Sequence, residues 1–160
     1  MSDRFFIDTN ILIYTFDRSS PSKRKTAISL VETALASGLG CISFQVVQEC
    51  LNVLTRKFRV PLDAEQARNY LQTTLMPVCR VHSSIPLYER AIDLHERWQF
   101  SLYDTLILAS ALEANCSILF SEDMQHKQKI ESLVVINPFT DTQQVNDVTD
   151  KYQVDSPEHP

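Results

Sequence analysis

Short apolar runs separated by segments of helical period constrain this chain more than any other feature. The runs Arg4 to Ile7, Cys41-Ile42-Ser43, Val78 to His82, Ile118-Leu119-Phe120 and Val134-Val135-Ile136 have the length of strands and little polar alternation. Strands of that kind are covered on both faces. Between them, Lys23 to Ser37, Phe44 to Phe58, Asp63 to Leu75, Ile85 to Trp98 and Leu102 to Ala114 read as helices, and Ile11 to Phe16 as a shorter one. Leu102 to Ala114 is apolar nearly all round, so it belongs in the interior. Strands alternating with helices predict an α/β fold with a parallel sheet between helical layers.

With 160 residues, the chain suits a single domain. That domain is expected at 1–139, followed by an acidic, aperiodic tail at 140–160 that is disordered or ordered by a partner. An apolar share of 44% and a charged share of 22% are ordinary for a globular protein. No stretch approaches the roughly 20 apolar residues of a membrane helix. Asp8 interrupts Phe5-Phe6-Ile7 before a signal-peptide core can form, so the expected location is cytoplasmic. The cysteines at 41, 50, 79 and 116 sit in apolar stretches without a C-x-x-C pair, which predicts buried thiols rather than disulfides or zinc ligands. The net charge is -5, most of it in the tail, where Asp141, Asp147, Asp150, Asp155 and Glu158 face Lys151 alone. Two basic runs, Arg18/Lys23/Arg24/Lys25 and Arg56/Lys57/Arg59, are either solvated helix surface or contacts for phosphates.

Four acidic residues stand where apolar segments begin, end or turn: Asp8, Glu49, Asp104 and Asp123. Asp8 and Asp123 follow strands, and in open α/β sheets ligands gather at that edge. Each position also has a structural reading. Asp8 suits a helix N-cap, and Asp123 suits a polar turn. Ser101-x-x-Asp104 resembles a capping box, and Glu49 falls at the rim of an amphipathic helix, where a solvated side chain is ordinary. Brought together, the carboxylates would repel one another unless protons or a hard divalent cation neutralised them. His82, His95, His126 and His159 lack ligand spacing, and a surface role suits His126 better than a catalytic one. Trp98 and Phe100 suit helix packing better than base stacking. No phosphate-binding loop or dinucleotide fingerprint is present. Asn10 stands where an aspartate-nucleophile phosphatase would need a second Asp.

Taken together, Phe5-Phe6-Ile7-Asp8-Thr9-Asn10-Ile11-Leu12, Glu49 in a helix, Tyr103-Asp104-Thr105-Leu106-Ile107-Leu108-Ala109-Ser110-Ala111 and Leu119-Phe120-Ser121-Glu122-Asp123-Met124-Gln125-His126 resemble the PIN-domain ribonucleases. Within that family the chain is most similar to VapC-type toxins of toxin–antitoxin pairs, over about residues 4 to 138. The resemblance implies a three-layer α/β/α sandwich with a central parallel sheet, Mg²⁺ or Mn²⁺ as cofactor, and RNA as substrate. It also implies a homodimer and a protein antitoxin as partner. By position, Asp8, Glu49, Asp104 and Asp123 match the acidic catalytic and metal-binding residues, and Asn10 and Ser121 match supporting polar positions. Glu122 falls where the family varies. Lys127 after Gln125-His126 replaces a common glycine, and the acidic extension exceeds the family core. Two alternatives stay open: an RNA-processing PIN nuclease that is not a toxin, and a non-catalytic RNA-binding domain of the same fold.

Overall fold

A computed structural model describes residues 2–151. Its core is a six-stranded sheet of β1 (Phe5–Ile7), β2 (Gly40–Ser43), β3 (Cys79–Val81), β4 (Ile118–Phe120), β5 (Lys129–Ile130) and β6 (Leu133–Ile136), in the order β3-β2-β1-β4-β6-β5. Among the described residues eight α-helices accompany it: α1 (Thr9–Tyr14), α2 (Pro21–Ser37), α3 (Phe44–Asn52), α4 (Ala64–Tyr70), α5 (Met76–Val78), α6 (Ile85–Trp98), α7 (Leu102–Glu113) and α8 (Thr142–Lys151). The chain steps outward from β1 to β3, then returns across the sheet to β4. Right-handed crossovers therefore put α2 to α5 on one face and α6 with α7 on the other. That is the expected three-layer α/β/α arrangement.

All three residues of β1 are buried, because layers cover both faces of the sheet. Phe5 meets Phe120 of the neighbouring β4 edge to face, with centroids 5.7 Å apart. Each such ring contributes about 1.5–3 kcal/mol by leaving water. The all-apolar α7 is buried from Thr105 to Ala111, and its two interior hydroxyls donate within the helix, Thr105 to the Leu102 carbonyl and Ser110 to that of Leu106. Trp98 and Phe100 stack in parallel against the core, as packing predicts. Gly38 ends α2 at φ 69°, a left-handed cap. Gly40 lets β2 lie directly against α2, since a Cβ there would overlap Ala34. The four cysteines are free thiols, three buried and Cys79 half-buried.

Several elements differ from expectation. The sheet is not wholly parallel: β5 runs antiparallel to β6, with Lys129 opposite Val134 and Ile130 opposite Leu133. A two-residue strand is too short to carry a period, and Glu131 at φ 55° makes the turn that a glycine would have signalled. The helix expected over Phe44 to Phe58 changes after Asn52 into a π-helical turn, Val53–Lys57. The one expected over Asp63 to Leu75 ends likewise in the π-helical turn Leu71–Leu75. The disordered tail expected from residue 140 is corrected over Thr142–Lys151, which is helical. There Val145 and Thr149 are buried one turn apart, and α8 packs on α2. Lys151 also pairs with Asp3 at 2.6 Å. Residues 152–160 lie outside the described residues. Among the described residues no helix is long and apolar enough to cross a membrane.

Candidate active site

The strand order reverses between β1 and β4, and such a reversal opens a crevice beyond the carboxyl ends of the strands. The ladder runs past the strand ends there. The Asp8 N–H donates to the Phe120 carbonyl at 3.0 Å, and the Ser121 N–H to that of Ile136 at 3.0 Å. Asp8 and Ser121 are thus held side by side by backbone. The Ser121 hydroxyl donates to Asp8 Oδ2 at 2.7 Å and accepts the Asp123 N–H at 3.2 Å. Asp8 Oδ1 accepts the Thr9 N–H at 2.7 Å, so the predicted N-cap of α1 is real as well. Asn10 ties the two strand ends together. Its amide donates to Asp123 Oδ2 at 3.0 Å and to Asp8 Oδ2 at 3.3 Å, while its Oδ1 accepts the Glu122 N–H at 3.2 Å.

Glu49 arrives from α3. Thr9 Oγ1 donates to its Oε2 at 2.5 Å, and the Gln45 amide to its Oε1 at 2.8 Å. Gln45 also donates to the Tyr103 carbonyl at 3.3 Å, linking α3 to the start of α7. Asp104 lies in the first turn of α7, where Ser101 Oγ caps its backbone N–H at 3.1 Å. Capping therefore uses the Asp104 backbone and leaves its half-buried carboxylate to face the cavity. One cavity of about 580 Å³ is lined by Asp8, Asn10, Glu49, Asp104, Glu122 and Asp123. The structure thus brings all four predicted carboxylates to one place. Ser121, fully buried, reaches that place through Asp8 and Asp123. Glu122 is turned to Lys23, with which it forms an ion pair.

Burial pushes the Asp8 carboxyl up to about 6, the Ser121 and Thr9 donors oppose this, and the Asp123 and Glu49 charges add to it. The site therefore resists its own negative charge. At Glu122, partial burial acts upward, but hydrogen bonds from Lys23 and Tyr14 outweigh it and hold the carboxyl below its ordinary value. His126 is engaged elsewhere. Its Nδ1 accepts the Asn137 N–H at 3.0 Å, and its Nε2 lies 3.7 Å from Asp141.

The sequence reading missed Thr9, Gln45, Tyr14, Lys23 and Lys57 as residues of this site. Gln45 had a signal, since it stands four residues before Glu49 on one helix face. Lys57 belongs to a basic run that the sequence marks as a candidate for phosphate contact, but its place in this cavity depends on the π-helical turn that carries it. As a donor set the cavity offers oxygen ligands without imidazole or thiolate, which suits a hard divalent cation. The charge repulsion felt by Asp8 is what such a cation would relieve. Among the described residues, however, no three acidic, histidine or cysteine side chains form a ready-made metal cluster. Glu49 and Asp123 are instead held by Thr9 and Asn10.

Comparison with curated proteins gives no significant match. Among solved structures, a toxin–antitoxin complex from Klebsiella pneumoniae is similar, with a TM-score of 0.60 at 22% identity over 83% of this chain and 96% of that one. VapC20 of Mycobacterium tuberculosis, a sarcin–ricin loop cleaving toxin, has a TM-score of 0.52 at 21% identity over 74% and 91%. VapBC2 from Rickettsia felis, bound to a DNA fragment from its promoter, has a TM-score of 0.54 at 17% identity over 82% and 96%. These likenesses are of fold. The PIN domain family model matches residues 5–130, a span that holds every carboxylate of the cavity, and the chain belongs to the PIN domain family.

Proposed function

We propose that this protein is a metal-dependent endoribonuclease and the toxin of a toxin–antitoxin pair. The observation that carries the reading is the gathering of Asp8, Glu49, Asp104 and Asp123 from four elements around one cavity at the switch point of a PIN fold. These four residues would hold Mg²⁺ or Mn²⁺. Such a cation supplies Lewis acidity, which acidifies water and offsets negative charge on a phosphodiester. The protein's part is to hold its ligands still. Asn10 and Ser121 fix Asp8 and Asp123 relative to each other, and Thr9 and Gln45 hold Glu49. Asp104 stands in the first turn of α7, its backbone N–H capped by Ser101, with its carboxylate on the cavity.

The toxin reading draws on fold neighbours that are toxins or toxin–antitoxin complexes. It brings with it a protein antitoxin, a homodimer and a cytoplasmic location. The test is RNA cleavage by the purified protein with Mg²⁺ or Mn²⁺, run beside EDTA and the Asp104→Asn variant. Cleavage that needs the metal and disappears in the variant supports the nuclease. Cleavage at full rate in Asp104→Asn would overturn the site. Growth arrest on expression, relieved by the product of a neighbouring short gene, supports the toxin role.

A further inference from the structure

Two more hollows continue from the acidic cavity, each sharing a residue with the one before. Asp17 lines both the acidic cavity and a hollow of about 580 Å³ bordered by Phe16, Phe58 and Arg59. Arg18 borders that hollow and also a third, of about 440 Å³, lined by Arg24 and Lys25. Tertiary structure thus joins two basic runs that lie far apart in sequence, one entering α2 and one following α3. Lys57 extends the cationic border into the acidic cavity itself.

The cations here are not spent on protein carboxylates. Among the described residues, the ion pairs involve Lys23, Arg90, Arg97, His126 and Lys151, and none of Arg18, Arg24, Lys25, Lys57 or Arg59. Arg24 is oriented rather than neutralised, since its Nε donates to the Thr15 carbonyl at 3.1 Å. Asp17, the acidic residue of the passage, is bonded by both the backbone N–H and the hydroxyl of Ser19. In a chain of net charge -5, cations that line adjoining hollows without carboxylate partners repel each other unless an anion lies among them. The hollow between them offers aromatic surface. Phe16 and Phe58 are half-buried and meet edge to face, 6.4 Å apart, beside Val60, which is 75% exposed.

We propose that these hollows form the track of a single-stranded RNA leading into the acidic cavity. Phosphates follow Arg18, Arg24, Lys25 and Arg59, and an unstacked base rests against Phe16 and Phe58. Backbone-tracking cations interleaved with aromatic platforms are the chemistry of single-strand binding, whereas a duplex keeps its base faces stacked away from side chains. The choice of RNA over another polyanion rests on the nuclease reading.

The experiment uses the full chain carrying Asp104→Asn, so that bound RNA stays intact. Fluorescence anisotropy with a labelled single-stranded RNA of about a dozen nucleotides is read over a KCl series. The double substitution Arg18→Glu/Arg59→Glu should weaken binding by at least about tenfold and flatten the logarithmic salt slope by about 0.7 for each phosphate that is no longer neutralised. Phe58→Ala should weaken binding while leaving that slope unchanged. The double substitution Arg80→Glu/Lys129→Glu, on the edge strands β3 and β5, changes net charge by the same amount and should do neither. No binding by the parent, equal binding by Arg18→Glu/Arg59→Glu, or a weakening equal to that in Arg80→Glu/Lys129→Glu would each overturn the track. So would an affinity for duplex RNA that matches that for single strands and depends equally on Phe58. Circular dichroism confirms that each variant is folded. Hydrolysis of a small phosphodiester by the unsubstituted protein with Mn²⁺ reports separately on the nuclease reading, so the two ideas can fail independently.

Discussion

Asp8 carries the highest electrostatic tension of any residue in the site. Burial, the largest cause, pushes its carboxyl up to about 6 from an ordinary 3.8. A carboxyl raised on folding adds stability that is complete below the unfolded value and is lost as pH climbs through the folded one. Ionising Asp8 at neutral pH therefore costs the metal-free fold about 3 kcal/mol. In EDTA, urea unfolding of Asp8→Asn should show higher stability than the parent at pH 7.5 and little difference at pH 4, while cleavage disappears. A variant that loses stability at pH 7.5 would show that the Ser121 and Thr9 hydrogen bonds matter more than the buried charge. Thr9 acts at one remove. Thr9→Val removes the donor that holds Glu49 and should lower activity or metal affinity about 10–100-fold, as loss of an outer-shell partner does. Equal activity in Thr9→Val would show that Gln45 alone positions Glu49.

The elements show where sequence periodicity carries information and where it fails. The ends of α6 and β4 match expectation, because a capping serine at Ser84 and an uninterrupted apolar triplet mark them locally. The π-helical turns at Val53–Lys57 and Leu71–Leu75 were not legible, since their residues keep helical propensity and one extra residue per turn leaves no compositional trace. Helix α8 was missed for a related reason. Its buried side chains, Val145 and Thr149, are too few to raise a periodic signal above the surrounding Asp, Asn and Gln, and the face they make has meaning once α2 lies beneath it. Val145→Asp should therefore destabilise the protein by about 2–4 kcal/mol, the cost of burying an unpaired charge or releasing the helix. Urea unfolding measures this, and a change below about 0.5 kcal/mol would mean that α8 adds nothing to the core. Gly40→Ala should cost about 1–3 kcal/mol by overpacking against Ala34.

For the whole molecule, the proposed function makes a divalent cation a stabilising ligand, because it would bind the assembled site and not the dispersed carboxylates of the unfolded chain. At ten times its dissociation constant, Mn²⁺ should add about 1.4 kcal/mol, or a few degrees of Tm for a domain of this size. Asp104→Asn should shrink that increment, and an unchanged Tm in saturating Mn²⁺ would remove the metal from the site. Local pattern along the chain was enough for the fold class, the covered strands and the buried α7, because burial period is a local property, while the four carboxylates stood out as candidates through the resemblance to a known family. Folding in three dimensions was needed to establish that β5 runs antiparallel, that Thr9 and Gln45 hold Glu49, and that Lys57 lines the acidic cavity while Arg18 borders the hollows adjoining it. These are pairings between residues far apart in the chain, and their distances depend on strand order and helix packing, which no local pattern encodes.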